Sequence, residues 1–361
     1  MRENKTQISK FRTINKKIVT YSVIAITILF LIIIIVSSLG SARIPVFQTY
    51  KLALNGIPLI RNLVDISDIN PNFKIIIQDV RLPRVFLAVL VGMALSASGV
   101  MYQGLFRNPM ADPYIIGISS GASLAATISI VAGFSTGIGG VSAIIVSAFT
   151  GALAVSFIVF NISRGKGGYI SVLTLILSGI AIGSLCSAGT SFLMMIGGED
   201  LHRVIFWIMG SLTTSQWIHV KIIGPVIIVG CIGLFLYTKD LNIVTLGEKR
   251  ARQLGINTEL MKNIIIIITS FIVAAAVSVS GIIGFIGLVV PHMMRIVVGP
   301  DNRVLLPVSA LSGGILLLLA DTFARTAMSP REIPVGIITA LLGSPFFIYL
   351  LRKTKKDRTV A

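Results

Sequence analysis

The sequence predicts an all-α, polytopic membrane protein of about ten transmembrane helices, and three observations predict it. Of 361 residues, 54% are hydrophobic and 12% are charged, against roughly a quarter charged in soluble domains. Mean hydropathy is +0.92, too apolar for a chain that must cover its own surface with polar groups, so a lipid bilayer is the solvent that suits it. The apolar residues also gather in ten runs, near the about 20 residues that a spanning helix needs.

The runs are taken in chain order. Ile18–Leu39 is the first and Val85–Gly104 the second; Tyr114–Ala132 and Gly139–Phe160 follow. Ser171–Ile196, His219–Tyr237 and Ile264–Ser280 are the fifth to seventh, and Ile282–Ile296 is a short, glycine-spaced eighth. Leu305–Ala324 and Pro334–Leu351 complete the set, giving one domain over 18–351 between tails 1–17 and 352–361. The basic stretch from Arg2 to Lys17 ahead of the first run resembles a secretory signal, but that run is about 22 residues long where a signal core has about 7–15. It reads as a retained helix. The apolar stretch Val204–Leu212 is too short to span and suits an interfacial or re-entrant helix. The long polar connection Arg43–Val80 is expected to carry a short helix of its own.

Charge sets the orientation. Ten spans place both termini on one side, and both are basic (Lys16, Lys17; Arg352, Lys353, Lys355, Lys356), which predicts that side to be cytoplasmic. Arg164, Lys166, Lys239, Lys249, Arg250, Arg252 and Lys262 fall on the same side. The opposite side nonetheless receives Arg43, Lys51, Arg61, Lys74, Arg81 and Arg84, an exception that asks for a reason. The net charge of +17 is thus a matter of helix ends and loops, with no basic stripe interleaved with aromatics to indicate nucleic acid. The pairs Gly117–Gly121 and Gly179–Gly183 have GxxxG spacing, which lets helix backbones approach closely.

Several chemistries are excluded. No GxxxxGK[ST] loop is present, and Arg164-Gly165-Lys166-Gly167-Gly168 lacks both its spacing and its hydroxyl residue. His202, His219 and His292 stand apart from one another and from Cys186 and Cys231, so neither a metal site, a disulfide framework nor a nucleophilic triad is indicated. Ion-coupled carriers usually hold carboxylates at mid-membrane. Here Asp321 is the one carboxylate well inside an apolar run, and Arg325 at i+4 has the geometry of an intrahelical pair with it.

Three stretches stand out from the apolar background. The first runs from Asp79-Val-Arg-Leu-Pro-Arg84 through Gly99-Val-Met-Tyr-Gln103 to Arg107-Asn-Pro-Met-Ala-Asp-Pro113. The second is Leu246-Gly-Glu-Lys-Arg-Ala-Arg-Gln-Leu-Gly255. The third combines Gly284-Phe-Ile-Gly-Leu-Val-Val-Pro-His292, Ala320-Asp-Thr-Phe-Ala-Arg325 and Glu332-Ile-Pro-Val-Gly336. Together, in this order and over about Leu82 to Leu351, they resemble the FecCD family of ABC importer permeases, of which the vitamin B12 permease is the best-known member.

That resemblance implies a type II ABC importer fold with ten helices per subunit. It also implies a second permease subunit, two cytoplasmic ATPase subunits that bind ATP, and an extracytoplasmic substrate-binding protein, in the cytoplasmic membrane of a prokaryote. The chain itself would need no cofactor and would do no covalent chemistry. Arg81, Arg84 and Arg325 match arginines that meet acidic residues of the binding protein, as guanidinium forks can; the plainer reading is arginines snorkelling from helix ends. Leu246, Gly247, Glu248, Ala251, Leu254 and Gly255 match the loop that seats in the ATPase, and Asn108, Pro109 and Met110 match a loop at the cytoplasmic end of the pore. The implied function is ATP-driven alternating-access import of an iron(III)–siderophore or related chelate, with haem and cobalamin as alternatives. A stand-alone secondary transporter or channel is the rival class.

Overall fold

Why each apolar run becomes a helix is simplest to see at its ends, where polar side chains take up the first free amides. A computed structural model describes residues 2–40, 42, 44–56, 64–134, 137, 141–165 and 169–359, with side chains from Ile14 to Tyr349 and at Arg352. Arg43, Arg61, Lys166, Gly167, Gly168 and the expected span start at Gly139 lie outside the described residues, as do the side chains of Arg2, Lys353, Lys355 and Lys356. Helix α1 is Arg2–Ser38, α2 Val46–Asn55 and α3 Pro71–Ile75, the last capped by Asn70. A π-turn at Ile76–Arg81 leads into α4, Leu82–Leu105. Then come α5 Ile118–Val131, α6 Ala143–Ser163 (capped by Ser142) and α7 Val172–Ile196 (capped by Ser171). The remainder are α8 Leu201–Ile208, α9 Trp217–Leu236, α10 Thr238–Thr245, α11 Glu248–Gln253, α12 Thr258–Ser280, α13 Ile286–Val298, α14 Asn302–Thr326 and α15 Val335–Thr359.

Seven of the described helical stretches are long and apolar enough to cross a membrane, and Ile118–Val131, Ile286–Val298 and Val335–Tyr349 are shorter apolar helices. Each of the ten coincides with one predicted run. The short helix expected between Arg43 and Val80 is α2, and the expected interfacial helix is α8, offset a few residues toward the N-terminus.

The bundle is arranged around α4. Its most apolar window is 83% buried, whereas that of the first span is 6% buried, so α4 is the central post and α1 lies at the edge of the bundle. Helices α9, α12, α13 and α14 pack on α4. The tightest backbone approaches to α4 need the absence of a side chain: a Cβ on Gly99 would land on the backbone of Gly287, and one on Gly92 on that of Gly313. The predicted GxxxG residues do pack closely, Gly121 against α6 and Gly179 against the backbone at Ile115. A satellite cluster of Ile44, Leu52, Ile69, Ile77 and Leu82 docks α2 on the π-turn. There Gln78 donates to the Leu52 carbonyl at 2.8 Å, and the Trp217 indole donates to the Gln78 carbonyl at 2.7 Å.

Two spans are too short to cross. Helices α5 and α13 have 14 and 13 residues, rising about 20 Å against about 30 Å of hydrocarbon. Their irregular ends therefore lie below the membrane surface. Such backbone is tolerated only where protein buries it or it lines a cavity.

Candidate functional site

The broken ends of α5 and α13 meet each other. Asp112 caps the single turn Pro113–Ile116 through the Tyr114 amide at 2.8 Å. The Tyr114 hydroxyl then donates to the Ile283 carbonyl at 3.1 Å and accepts from the Ile283 amide at 3.3 Å. Between α12 and α13 the chain turns through left-handed Gly281 (φ 66°) and Phe285 (φ 69°). Gly210 and Gly336 pack against Ile282, so four connections converge on this break. Beside it, an open groove between α5 and α7 is lined by Tyr114, Ser119, Ser120, Ser184 and Ser187. A hydroxyl-lined groove facing outward from a bundle suits a polar solute.

The three arginines expected at the pore mouth do gather, but they turn inward. Helix α1 ends at Ser38, leaving its last four carbonyls without intrahelical partners. Ser38 Oγ donates to Ile35 at 2.7 Å, Arg325 Nη2 to Val36 at 2.7 Å, and Arg81 Nη1 to Ser37 and Ser38 at 2.9 and 3.0 Å. Arg81 Nη2 also donates to Ala42 at 2.6 Å. Two cations thus cap a helix C-terminus, where they also complement its dipole.

Arg84 makes a different set of contacts. Its Nε and Nη2 grip Asp321 at 2.8–3.1 Å, and its Nη1 donates to both oxygens of Glu332 at 3.1 and 2.9 Å. Side-chain exposures are 8% for Arg84, 2% for Asp321 and 34% for Glu332, so the pair is sealed and Glu332 forms its outer lid. Thr213 donates a further hydrogen bond to Glu332 at 3.0 Å. The intrahelical Asp321–Arg325 pair expected from spacing is corrected here. The carboxylate has gone across the bundle to α4, and Arg325 Nε is buried without a partner.

At the face bearing both termini, the segment Leu246–Gly255 is a short helix between glycines rather than a plain loop. Gly247 (φ 135°) and Gly255 (φ 83°) adopt backbone angles that side chains disfavour. Leu246 and Leu254 flank α11 and are 70% and 69% exposed, while Ala251 is buried. Glu248 anchors the helix on buried Lys262 of α12 at 2.8 Å, and Arg252 bridges to Glu259 at 3.4 Å. Burial works to raise the Glu248 pKa, but the hydrogen bond and charge of Lys262, with Arg107 and Arg252, outweigh it and hold the carboxyl below its ordinary value. Glu259 in turn accepts from the Ile170 amide at 3.1 Å, at the entry to α7.

Asn108, Pro109 and Met110 lie exposed in the connection after α4 on the same face. Helix α4 ends with Arg107 in a left-handed conformation (φ 48°), and its guanidinium donates to the Val244 carbonyl at 2.5 Å. The Asn108 side chain accepts from the Met110 amide at 2.9 Å, turning the chain back toward Asp112.

Comparison with known proteins settles the kinship. The model of the FecCD transport family matches residues 26–353. The chain belongs to the FecCD transport family. The match takes in most of the first apolar run, Ile18–Leu39, so the likeness extends further toward the N-terminus than the three motifs alone indicate. Among FecCD relatives, the cobalamin import system permease of Halobacterium salinarum is 47% identical over 280 residues, 77% of this chain and 74% of the relative. The hemin transport system permease of Yersinia pestis is 45% identical over 283 residues, 78% of this chain and 84% of the relative. A solved ABC transporter of metal-chelate type, in an inward-facing conformation, superposes with a TM-score of 0.75 at 31% identity, covering 92% of this chain and 99% of the other.

Within this FecCD chain, sequence reasoning located Arg84 but not Glu332 as its partner, nor Thr213, Tyr114, Lys262 and Glu259. The Glu332-Ile-Pro-Val-Gly336 motif held a signal for the first of these. A carboxylate beside a helix end rich in arginine is a candidate partner, but only the fold could tell which arginine it reaches.

Proposed function

We propose that this chain is the membrane-spanning permease subunit of a binding-protein-dependent ABC importer. It pairs with a second permease subunit and with two cytoplasmic ATPase subunits, which bind and hydrolyse ATP, while an extracytoplasmic binding protein delivers the substrate. The face bearing the termini is the cytoplasmic face, and the chain resides in the cytoplasmic membrane of a prokaryote. The cargo is an iron(III)–siderophore or related chelate. Haem and cobalamin are close alternatives, in keeping with the names of the hemin and cobalamin relatives and of an Fe(3+)-citrate import permease from Bacillus subtilis that is 38% identical.

One observation carries the reading. Helix α11 sits at a helix-bundle end with an exposed leucine on each side and glycines that no neighbour crowds. Two large apolar side chains held out on a short, ion-paired helix suit burial in a partner's cleft. Movement of α11 would reach α12 through Glu248–Lys262 and α7 through Glu259–Ile170, and so the hydroxyl-lined groove. Asn108, Pro109 and Met110, on the same face, would close its cytoplasmic end. The rival reading as an ion-coupled carrier finds little support, because Asp321, the one carboxylate well inside an apolar run, is buried in an ion pair with Arg84 at 2.8 Å.

The test is the double substitution Leu246→Asp and Leu254→Asp. Both side chains are exposed, so the bundle should fold at its usual melting temperature. Co-purification of the ATPase subunits and stimulated ATP hydrolysis should fall to background. Retention of both at wild-type level would refute the coupling role of α11.

A further inference from the structure

Three spanning segments end around one cavity on the face opposite the termini. Helix α6 begins there at Ala143, α9 begins at Trp217 and α12 ends at Ser280. The cavity has a volume of about 710 Å³ and is lined by Ile144 and Ile145 of α6, Arg203 and Trp207 of α8, His219 of α9 and Ser278 of α12. It shares no described lining residue with the groove between α5 and α7.

Its polar groups suit an anion. His219 is 7% exposed, and its Nδ1 accepts from the Gln216 amide at 3.3 Å. The imidazole is therefore neutral with its proton on Nε2, and among the described residues that N–H has no acceptor. A buried donor without an acceptor is destabilising, so the position lacks a ligand oxygen. His219 stands in the first turn of α9, at the positive end of a helix dipole. Among the described residues lining the cavity, Arg203 is the one that carries a full charge; its partner Asp200, at 3.0 Å, is not part of the lining.

Deeper in the membrane the same side of α12 turns apolar. Ile267 and Phe271 are 47% and 46% exposed. They stand at i−11 and i−7 from Ser278, which at 100° per residue puts all three on one helix face. On one flank of that face Ser156 of α6 shares a hydrogen bond with Ser270 at 2.7 Å; on the other, Gly230 of α9 packs on Ile272. Ile267 and Phe271 thus lie between α6 and α9. The descent from Ser278 to Ile267 is about 16 Å, half of about 30 Å of hydrocarbon.

We propose that the cavity is the headgroup site of one phospholipid from the leaflet opposite the termini. Its phosphate accepts from His219 Nε2 and Arg203, and an acyl chain descends over Ile267 and Phe271 between α6 and α9. Ala274 and Ala275, the positions between on that face, are buried, so the chain passes them on the membrane side. The order of the surfaces selects this occupant. A free anion would use the cavity and leave the apolar face bare, and a soluble partner would not reach mid-membrane. The lipid would steady α8, because the Trp207 carbonyl abuts Gly281 at the break after α12. This site is independent of the importer reading and of the cargo.

The experiment uses the full chain, with the subunits that co-purify, in mild detergent. Native mass spectrometry should find one phospholipid retained per chain, and phosphatidylglycerol with a diazirine in its acyl chain should crosslink to peptides covering Ile267–Phe271. After delipidation, phosphatidylglycerol is titrated back. His219→Asn keeps an acceptor near the place of Nδ1 and removes the Nε2–H, so binding should weaken about tenfold, the loss of one hydrogen bond to a charged group. Arg203→Gln should weaken it about threefold, as for an exposed charge, and Ile145→Trp, which fills the cavity, should abolish it. Equal retention by wild type and Ile145→Trp overturns the site. Inorganic phosphate that raises the melting temperature as much as phosphatidylglycerol overturns the lipid as occupant, and so does crosslinking that avoids α12. Should the substitutions prevent folding, the crosslinking of the wild-type chain still decides.

Discussion

Arg81→Met is the perturbation that best separates a helix-capping arginine from a docking arginine. One guanidinium makes three hydrogen bonds to carbonyls, at 2.9, 3.0 and 2.6 Å, two of them to the final residues of α1. A hydrogen bond to a charged group contributes about 1.5–3 kcal/mol. The three share one side chain, and the freed carbonyls reach interfacial water once the helix end loosens, so the net loss is about 3 kcal/mol, that of one to two such bonds. The loss falls on the buried end of α1, where Arg325 holds Val36 but only Arg81 reaches the carbonyls of Ser37 and Ser38. Hydrogen exchange should rise sharply in peptides covering Ile33–Ile44, with the α4–α14 core still protected. Arg81→Lys should give a smaller increase, since a single ammonium cannot span all three carbonyls. Unchanged exchange at the end of α1, combined with lost affinity for an external binding protein, would refute capping and return Arg81 to docking.

Two further outcomes follow from geometry at other places. Gly99→Ala sets a methyl against the Gly287 backbone, which cannot rotate away, and should exceed the about 1–3 kcal/mol typical of overpacking; Gly247→Ala meets no neighbour and should cost only local backbone strain of about 1–3 kcal/mol. Comparing the two melting temperatures in one detergent checks this, and equal losses would contradict it. For pH, the folded-state pKa of Glu248 lies below its ordinary 4.5, so its anchoring of α11 is complete above that value and is lost as pH falls through the lower, folded pKa. Hydrogen exchange over 246–256 should thus be flat from neutral pH to about 4.5 and rise in more acid solution, once corrected for intrinsic exchange; Glu248→Gln should remove that rise.

The spans were legible because a bilayer imposes one dominant pattern, long apolar runs, on every element that crosses it. Even α5 and α13 were found by apolarity, although only the run at Ile282–Ile296 read as short and the one at Tyr114–Ala132 read as long enough to cross. What was not legible depended on partners distant in the chain. The local signal at Asp321 and Arg325, four residues apart, pointed to an intrahelical pair; the actual partner, Arg84, is 237 residues away. Likewise GxxxG spacing marked Gly121 and Gly179 correctly as contact glycines, while two close backbone approaches of α4, Gly92 to Gly313 and Gly99 to Gly287, join residues that no local spacing connects. The segment 246–255 gave its exposed leucines and its glycines from sequence, but its helix is too short for periodicity to reveal.

Two of the basic residues on the opposite face that stand at odds with the positive-inside bias, Arg81 and Arg84, gain a reason from these contacts. A helix that ends at a membrane surface presents four carbonyls and a partial negative charge. Helix α1 ends there among apolar neighbours, so water has limited access and side-chain donors must take its place. Arginine suits this role better than lysine, because a planar fork reaches several carbonyls and stays charged when buried. Arg81 reaches three carbonyls and Arg325 one, and Arg84 on the next turn balances the carboxylates of α14 and its following loop. Arg81 and Arg84 are therefore not mainly topological signals. With Arg325 they are consumed in holding the end of α1 and two carboxylates against the central post.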